Sequence, residues 1–221
     1  MVTTFSKNIF RALVTEGHFL PSKGYMPTDT DRPYIEKVLD GDTTAFAVLV
    51  NRYKDMVFTL ALKMIGNREE AEEVSQDTFI KIYEKLNGFK GDSKFSTWVY
   101  RITYNSCLDR IKKNRKERDT LTINAFTENQ IPALETAFDI MERSDRKKVI
   151  NECLDKLPGE DSMVILLYYY DELSLAEISE VIGVGQNHAK VKLFRARKRL
   201  ATILRQRLEP TILENYGAKS G

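Results

Sequence analysis

Gln186, Asn187 and His188 stand just before a run of cations that includes Lys190, Lys192 and Arg195. That order suits the chemistry of reading a DNA duplex. Amide and imidazole groups exchange hydrogen bonds with base edges, while ammonium and guanidinium groups neutralise phosphates. Charge in this part of the chain is sorted by position. From Glu160 to Val184 the charged residues are Glu160, Asp161, Asp171, Glu172, Glu177 and Glu180, all acidic. From Gly185 to Arg207 they are Lys190, Lys192, Arg195, Arg197, Lys198, Arg199, Arg205 and Arg207, all basic. A basic run alone is ordinarily a solvated face. What turns the reading toward DNA is the pair of elements that must hold it.

Ser174 and Glu177 have the spacing of a capping box, each satisfying the other's backbone N–H, and Leu173 with Ile178 can close a hydrophobic staple. Ile178, Val181 and Ile182 give one apolar face, and Gly183 falls where a helix stops in a left-handed conformation. A second helix starts near Gly185 or Gln186, with Ala189, Leu193, Ala196, Leu200 and Ile203 inward. Helix, glycine turn and helix make a helix-turn-helix whose second member enters the major groove. In this frame Gln186, Asn187 and Lys190 face the groove floor, and Lys192 and Arg195 meet phosphates. His188 is a neutral phosphate or base-edge contact. Val191 is left open between a thymine methyl and plain solvent exposure.

The 221 residues leave room for one or two domains, and the net charge of +2 hides the local asymmetry. Cys107 and Cys153 lie in no CxxC or Cys/His cluster and read as buried reduced thiols of an intracellular protein. His18 and His188 fall in unlike contexts, and no nucleophile, metal cluster or phosphate loop accompanies them, so the expectation is a non-enzyme without cofactor or metal. No apolar run approaches a membrane span and no signal peptide is recognisable, which gives a soluble cytoplasmic protein.

The chain reads as all-α, in two small helical domains, 33–116 and 145–207, joined by a flexible linker over 117–144. A tail over 1–32, in which Met26 could be the physiological start, precedes them, and a second tail over 208–221 follows. Pro33 opens a short helix that stops at Gly41, and Thr43 or Thr44 starts a long one carrying Phe46, Leu49, Val50, Tyr53, Val57, Leu60, Ala61 and Met64. The next runs from about Arg68 to Leu86 with Ala71, Val74, Thr78, Ile82 and Leu86 inward. Its outer side presents Glu73, Gln76, Asp77, Ile80, Lys81 and Glu84. Asp92 or Ser93 can cap a helix from Phe95 to about Lys113. A short helix around Leu134 to Met141 is placed in the linker.

The block AEEVSQDTFIKIYEKLNGFKGDSKFSTWVYRITYNSCLDRIKK, Ala71 to Lys113, resembles conserved region 2 of bacterial sigma factors. LDKLPGEDSMVILLYYYDELSLAEISEVIGVGQNHAKVKLFRARKRL, Leu154 to Leu200, resembles region 4 of the extracytoplasmic-function group, which keeps only those two regions. The resemblance implies a dissociable subunit that directs RNA polymerase core to promoters, region 2 serving the −10 element and region 4 the −35 element. It places Gln76, Asp77 and Ile80 against a coiled coil of the β′ subunit, with β as a further contact and an anti-sigma factor as a further partner. It assigns bases drawn from the duplex at the −10 element to Lys90, Lys94, Tyr100, Arg101 and Tyr104, and duplex phosphates to the basic helix end that holds Arg110 and Lys113. Phe89, Phe95 and Trp98 read as core aromatics. In the family the recognition helix usually begins with Ser, an acidic residue and Gly-Thr-Val. Here Gly185-Gln186-Asn187-His188-Ala189 stands instead, so no −35 preference carries over.

Two rival functions remain to be weighed. A helix-turn-helix regulator acting without polymerase explains Leu173 to Leu200 but leaves Ala71 to Lys113 unexplained. A protein-only helical adaptor leaves the basic helix idle.

Overall fold

The computed structural model describes residues 30–114 and 143–217, with side chains over 30–114 and 148–207. Within them the chain is all-α, eight α-helices and one 3-10 turn, with no strand. The expected linker over 117–144, apart from its last two residues, lies outside the described residues, as do the short helix at 134–141 and the tail through residue 29 with Met26.

One compact unit comprises residues 30–114 together with Leu173–Ala189. Helix α1 (Arg32–Leu39) carries Pro33 in its first turn, as expected. Asp31 just before it is buried, accepts a hydrogen bond from Tyr53 at 2.6 Å and pairs with Arg52, which pins α1 to the next helix. Helix α2 (Thr43–Ile65) is capped by Asp42, whose carboxylate accepts from the Thr44 and Ala45 N–H groups, and it ends at Gly66 with φ of 77°. Helix α3 (Arg68–Lys85) is capped by Asn67 and tightens into a 3-10 turn at Leu86–Gly88. Leu49, Tyr53, Val57, Ile82, Leu86, Phe95 and Val99 form the core between these elements. Burying such side chains is worth about 1.5–3 kcal/mol each. Exposed i,i+4 pairs such as Arg32–Glu36 and Arg68–Glu72 contribute roughly 0.3–0.5 kcal/mol each, so the apolar stripes decide the packing.

Helix α4 (Phe95–Asn114) starts at the expected Phe95, with a different cap. The Trp98 N–H donates to the Lys94 carbonyl at 3.2 Å, so Lys94, rather than Asp92 or Ser93, holds the cap position. Helix α4 contacts α2, α3 and the later helix α7 (Leu175–Ile182). It is therefore buried on most of its circumference, from Phe95 through Cys107.

The second unit joins residues 143–172 to the helix that follows Ala189. Helix α5 (Arg143–Asp155) opens two residues before the expected Asp145, and Pro158 breaks the chain before α6 (Gly159–Tyr169). Met163, Val164, Ile165, Leu166 and Leu167 of α6 are all buried. Helix α8 (Gln186–Gly217) overruns its expected end. Most of the expected tail at 208–221 is therefore helical, although Pro210 within it cannot donate a backbone hydrogen bond.

Cys107 and Cys153 are buried, and burial pushes their thiols up to about 12 and about 11, which keeps them protonated and unreactive near neutrality. Among the described residues no helix is long and apolar enough to cross a membrane.

Candidate nucleic-acid and polymerase interfaces

The helix-turn-helix forms as its sequence dictates. The Ser174 Oγ accepts from the Glu177 N–H at 3.2 Å while the Glu177 carboxylate accepts from the Ser174 N–H at 2.9 Å, which completes the capping box on α7. Gly183, at φ 69°, ends α7 in the left-handed conformation that a side chain would disfavour. The Ala189 N–H then donates to the Gly185 carbonyl at 3.0 Å, which makes Gly185 the cap of α8.

Along α8, Ala189, Leu193, Ala196 and Leu200 are buried. At about 100° per residue, the opposite side of the helix carries Val191 and Lys198, flanked by Asn187, Phe194 and Arg195. Gln186, Asn187, His188, Lys190 and Arg195 are all exposed, but Lys190 lies on the flank instead of facing the groove floor. Gln186 owes its exposure to its place in the first turn.

The basic run proves to have two jobs. Lys192 is half-buried and ion-paired with Glu160, unlike exposed Lys190 and Arg195. Arg199 pairs with the buried Asp161, and Arg207 with Glu152 at 3.2 Å. The Arg197 guanidinium lies 4.8 Å from the Tyr168 ring centre and 5.1 Å from that of Tyr169. Half of the sorted charge thus joins α8 to α5 and α6. Lys190, Arg195 and Lys198 are the cations of its outer face.

At the expected −10 site the residues differ in burial and in ion pairing. Tyr100 and Tyr104 are each 3 % exposed, in a helix covered on several sides, so their rings are not available to stack on a base. Arg110 is ion-paired with Glu73 at 2.9 Å, and Lys94 with Glu177 at 2.7 Å. What α4 leaves open is a stripe at helical spacing: half-buried Trp98, then exposed Arg101 and Asn105. With Lys85 and Gly88 these residues line an open cleft. Trp98 rests on Phe95, ring centres 5.6 Å apart and nearly parallel, and on Phe89 at 5.3 Å, in line with its reading as part of the aromatic core edge. Lys90 and Lys113 are exposed. The helical spacing of Trp98, Arg101 and Asn105 is a signal that the sequence reading did not use.

On α3, Gln76 and Asp77 are exposed and Ile80 is 57 % exposed, the largest value among the exposed apolar residues, while Ala71, Val74, Thr78 and Ile82 face inward. Lys81 does not turn to Asp77, one helical turn away. Its Nζ donates to Ser106 Oγ at 3.1 Å, which leaves the Asp77 carboxylate presented with Ile80 on an outer face. Tyr83, 45 % exposed and edge-on to Phe46, extends that face.

Residues 49–117 match the family model for sigma-70 region 2 and residues 147–200 match that for sigma-70 region 4. The chain is 38% identical over 180 residues to the ECF RNA polymerase sigma factor SigW of Bacillus subtilis, across 77% of this chain and 95% of that protein. This chain belongs to the sigma-70 family, extracytoplasmic-function group. As a sigma factor it is a promoter-specificity subunit of RNA polymerase, which sets aside the regulator acting alone and the protein-only adaptor. It is also 29% identical over 175 residues to the ECF RNA polymerase sigma-E factor of Escherichia coli, across 76% of this chain and 91% of that protein. Its fold is similar to that of CnrH, solved in complex with the cytosolic domain of CnrY, with a TM-score of 0.54 and 22% identity over 80% of this chain and 97% of that one.

The capping box gives this sigma factor an acid-sensitive point. Burial pushes the Glu177 carboxyl up, but the Lys94 ammonium and the hydrogen bonds of Ser174 outweigh it and hold the group below its ordinary value. Glu177 therefore contributes stability above the unfolded glutamate value, about 4.3, and that stability is lost as pH falls through the lower folded value. Thermal melts between pH 6 and pH 3 are expected to show a shallower acid-side decline for Glu177→Gln than for the natural chain. Parallel declines would remove Glu177 from the acid response.

Proposed function

We propose that this sigma factor docks on the polymerase β′ coiled coil through Gln76, Asp77 and Ile80 and lays α8 in the −35 major groove. Asn187, Gln186 and His188 meet base edges there, and Lys190, Arg195 and Lys198 meet phosphates. The −10 strand runs along Lys90, Trp98, Arg101 and Asn105, with Lys113 on the flanking duplex. The single observation that carries this reading is the α3 face, where Ile80 and Asp77 are exposed together on the side away from the core while Lys81 turns to Ser106. Ile80 and Tyr83, exposed one turn apart, make an apolar patch of the kind that marks a protein interface.

The matches at 49–117 and 147–200 support 33–116 and 145–207 as the two functional domains. The same reading holds that the protein works in the cytoplasm, catalyses no reaction and needs no cofactor. It adds a protein inhibitor as a partner. The sigma factor RpoE of Bartonella quintana, similar in fold at a TM-score of 0.52 and 19% identity, was solved with the anti-sigma factor NepR, which lends support to that addition.

Promoter-fragment retention by the assembled holoenzyme at several salt concentrations tests the division of cations on α8. Arg195→Ala should weaken all −35 sequences alike and lower the logarithmic salt slope by about one. Lys192→Ala should leave the slope unchanged and lower the melting temperature, because its partner is Glu160. Equal slopes for both variants would overturn the assignment.

A further inference from the structure

The outer face of α8 carries a feature that phosphate contacts do not explain. Val191 is 43 % exposed and Phe194 is 52 % exposed, three residues apart, on the side away from buried Ala189, Leu193 and Ala196. Lys190, Arg195 and Lys198, all exposed, surround them. An apolar pair inside a ring of cations fits a partner that is a polyanion and also offers apolar groups. A duplex meets both conditions: in the major groove thymine, alone among the four bases, presents a methyl group.

We propose that Val191 and Phe194 form an apolar ridge that selects thymine in the −35 element by contact with its 5-methyl group. The inference rests on the placement of α8 in the −35 major groove and deepens it. The cations of the ring hold the helix to the backbone without regard to sequence, and the ridge supplies discrimination. A helix bringing Val191 and Phe194 to the groove floor covers them with DNA, which relieves the exposure of both. Asn187, on the same side one turn earlier, is left for hydrogen-bonded readout.

The test uses holoenzyme assembled from the full chain and core polymerase. Duplexes with a fixed −10 region and a randomised −35 window are selected for retention. The selected sequences are then remade with deoxyuridine for thymidine within that window alone, which removes only the methyl groups. The expected result is thymine enrichment in the window and a loss of roughly fourfold in affinity per methyl removed, the value of about one buried methyl-sized group. Holoenzyme carrying Val191→Ala with Phe194→Ala should bind the two duplexes within experimental error of each other, and Phe194→Leu should keep most of the sensitivity. Both residues are exposed, so folding of the variants is checked simply by their melts. A selected −35 sequence that binds equally with thymidine and deoxyuridine overturns the ridge and leaves α8 as the −35 reader. A window that shows no enrichment at all overturns the placement of α8 together with the ridge.

Discussion

Ile80→Glu is expected to lower affinity for core RNA polymerase by roughly 30-fold or more, the effect of losing one interface hot spot worth about 2 kcal/mol. Asp77→Arg, which reverses charge on the same face, is expected to cost about tenfold. Neither should shift the melting temperature, because Ile80 is 57 % exposed and Asp77 lies away from the buried row of Ala71, Val74, Thr78 and Ile82. Competition for core enzyme against a labelled natural chain, with melts in parallel, gives both quantities. Unchanged affinity in both variants would move the docking face off α3. The pair is informative because the two losses have different salt dependence: the isoleucine term is apolar and persists at high salt, whereas the aspartate term is screened.

The second large effect lies in the helix-turn-helix. Ile178 is fully buried on α7, and Ile178→Ala removes packing that a short helix cannot replace, at an expected cost of about 2–5 kcal/mol. Ser174→Ala takes away one half of the capping box and should cost about 1 kcal/mol. Denaturant unfolding of the two variants gives the order. A cap variant as damaged as the core variant would mean that α7, only eight residues long, is held by its terminus more than by its apolar face.

The helices were legible because their signals are local: the Ser174–Glu177 box, the Gly183 stop and Pro33 in the first turn each depend on residues within one turn of one another. The inward rows of α3 and α8 were legible for the same reason. Tyr100 and Tyr104 were not, since helical spacing identifies one buried face and α4 is covered on several. Ion pairing was equally hidden. Lys192, Arg110 and Lys94 look in sequence like neighbouring cations of the outer face, yet each meets a carboxylate distant in the chain: Glu160, Glu73 and Glu177. The family resemblance singled out helices for the interfaces, but which of their side chains stay exposed was decided by tertiary packing. On α4 that packing buries Tyr100 and Tyr104 and leaves Arg101 and Asn105 exposed beside half-buried Trp98.

The central claim is that the chain acts through core polymerase, and run-off transcription in vitro tests it most directly. Core enzyme alone and core enzyme with the chain are given one pool of promoter-sized templates. Specific transcripts are expected only when both are present, arising from templates that share a −10 and a −35 sequence, and they should be lost with Ile80→Glu at protein concentrations that saturate the natural chain. Sequence-specific DNA binding by the chain alone, with no core-dependent transcript from any template, would contradict it.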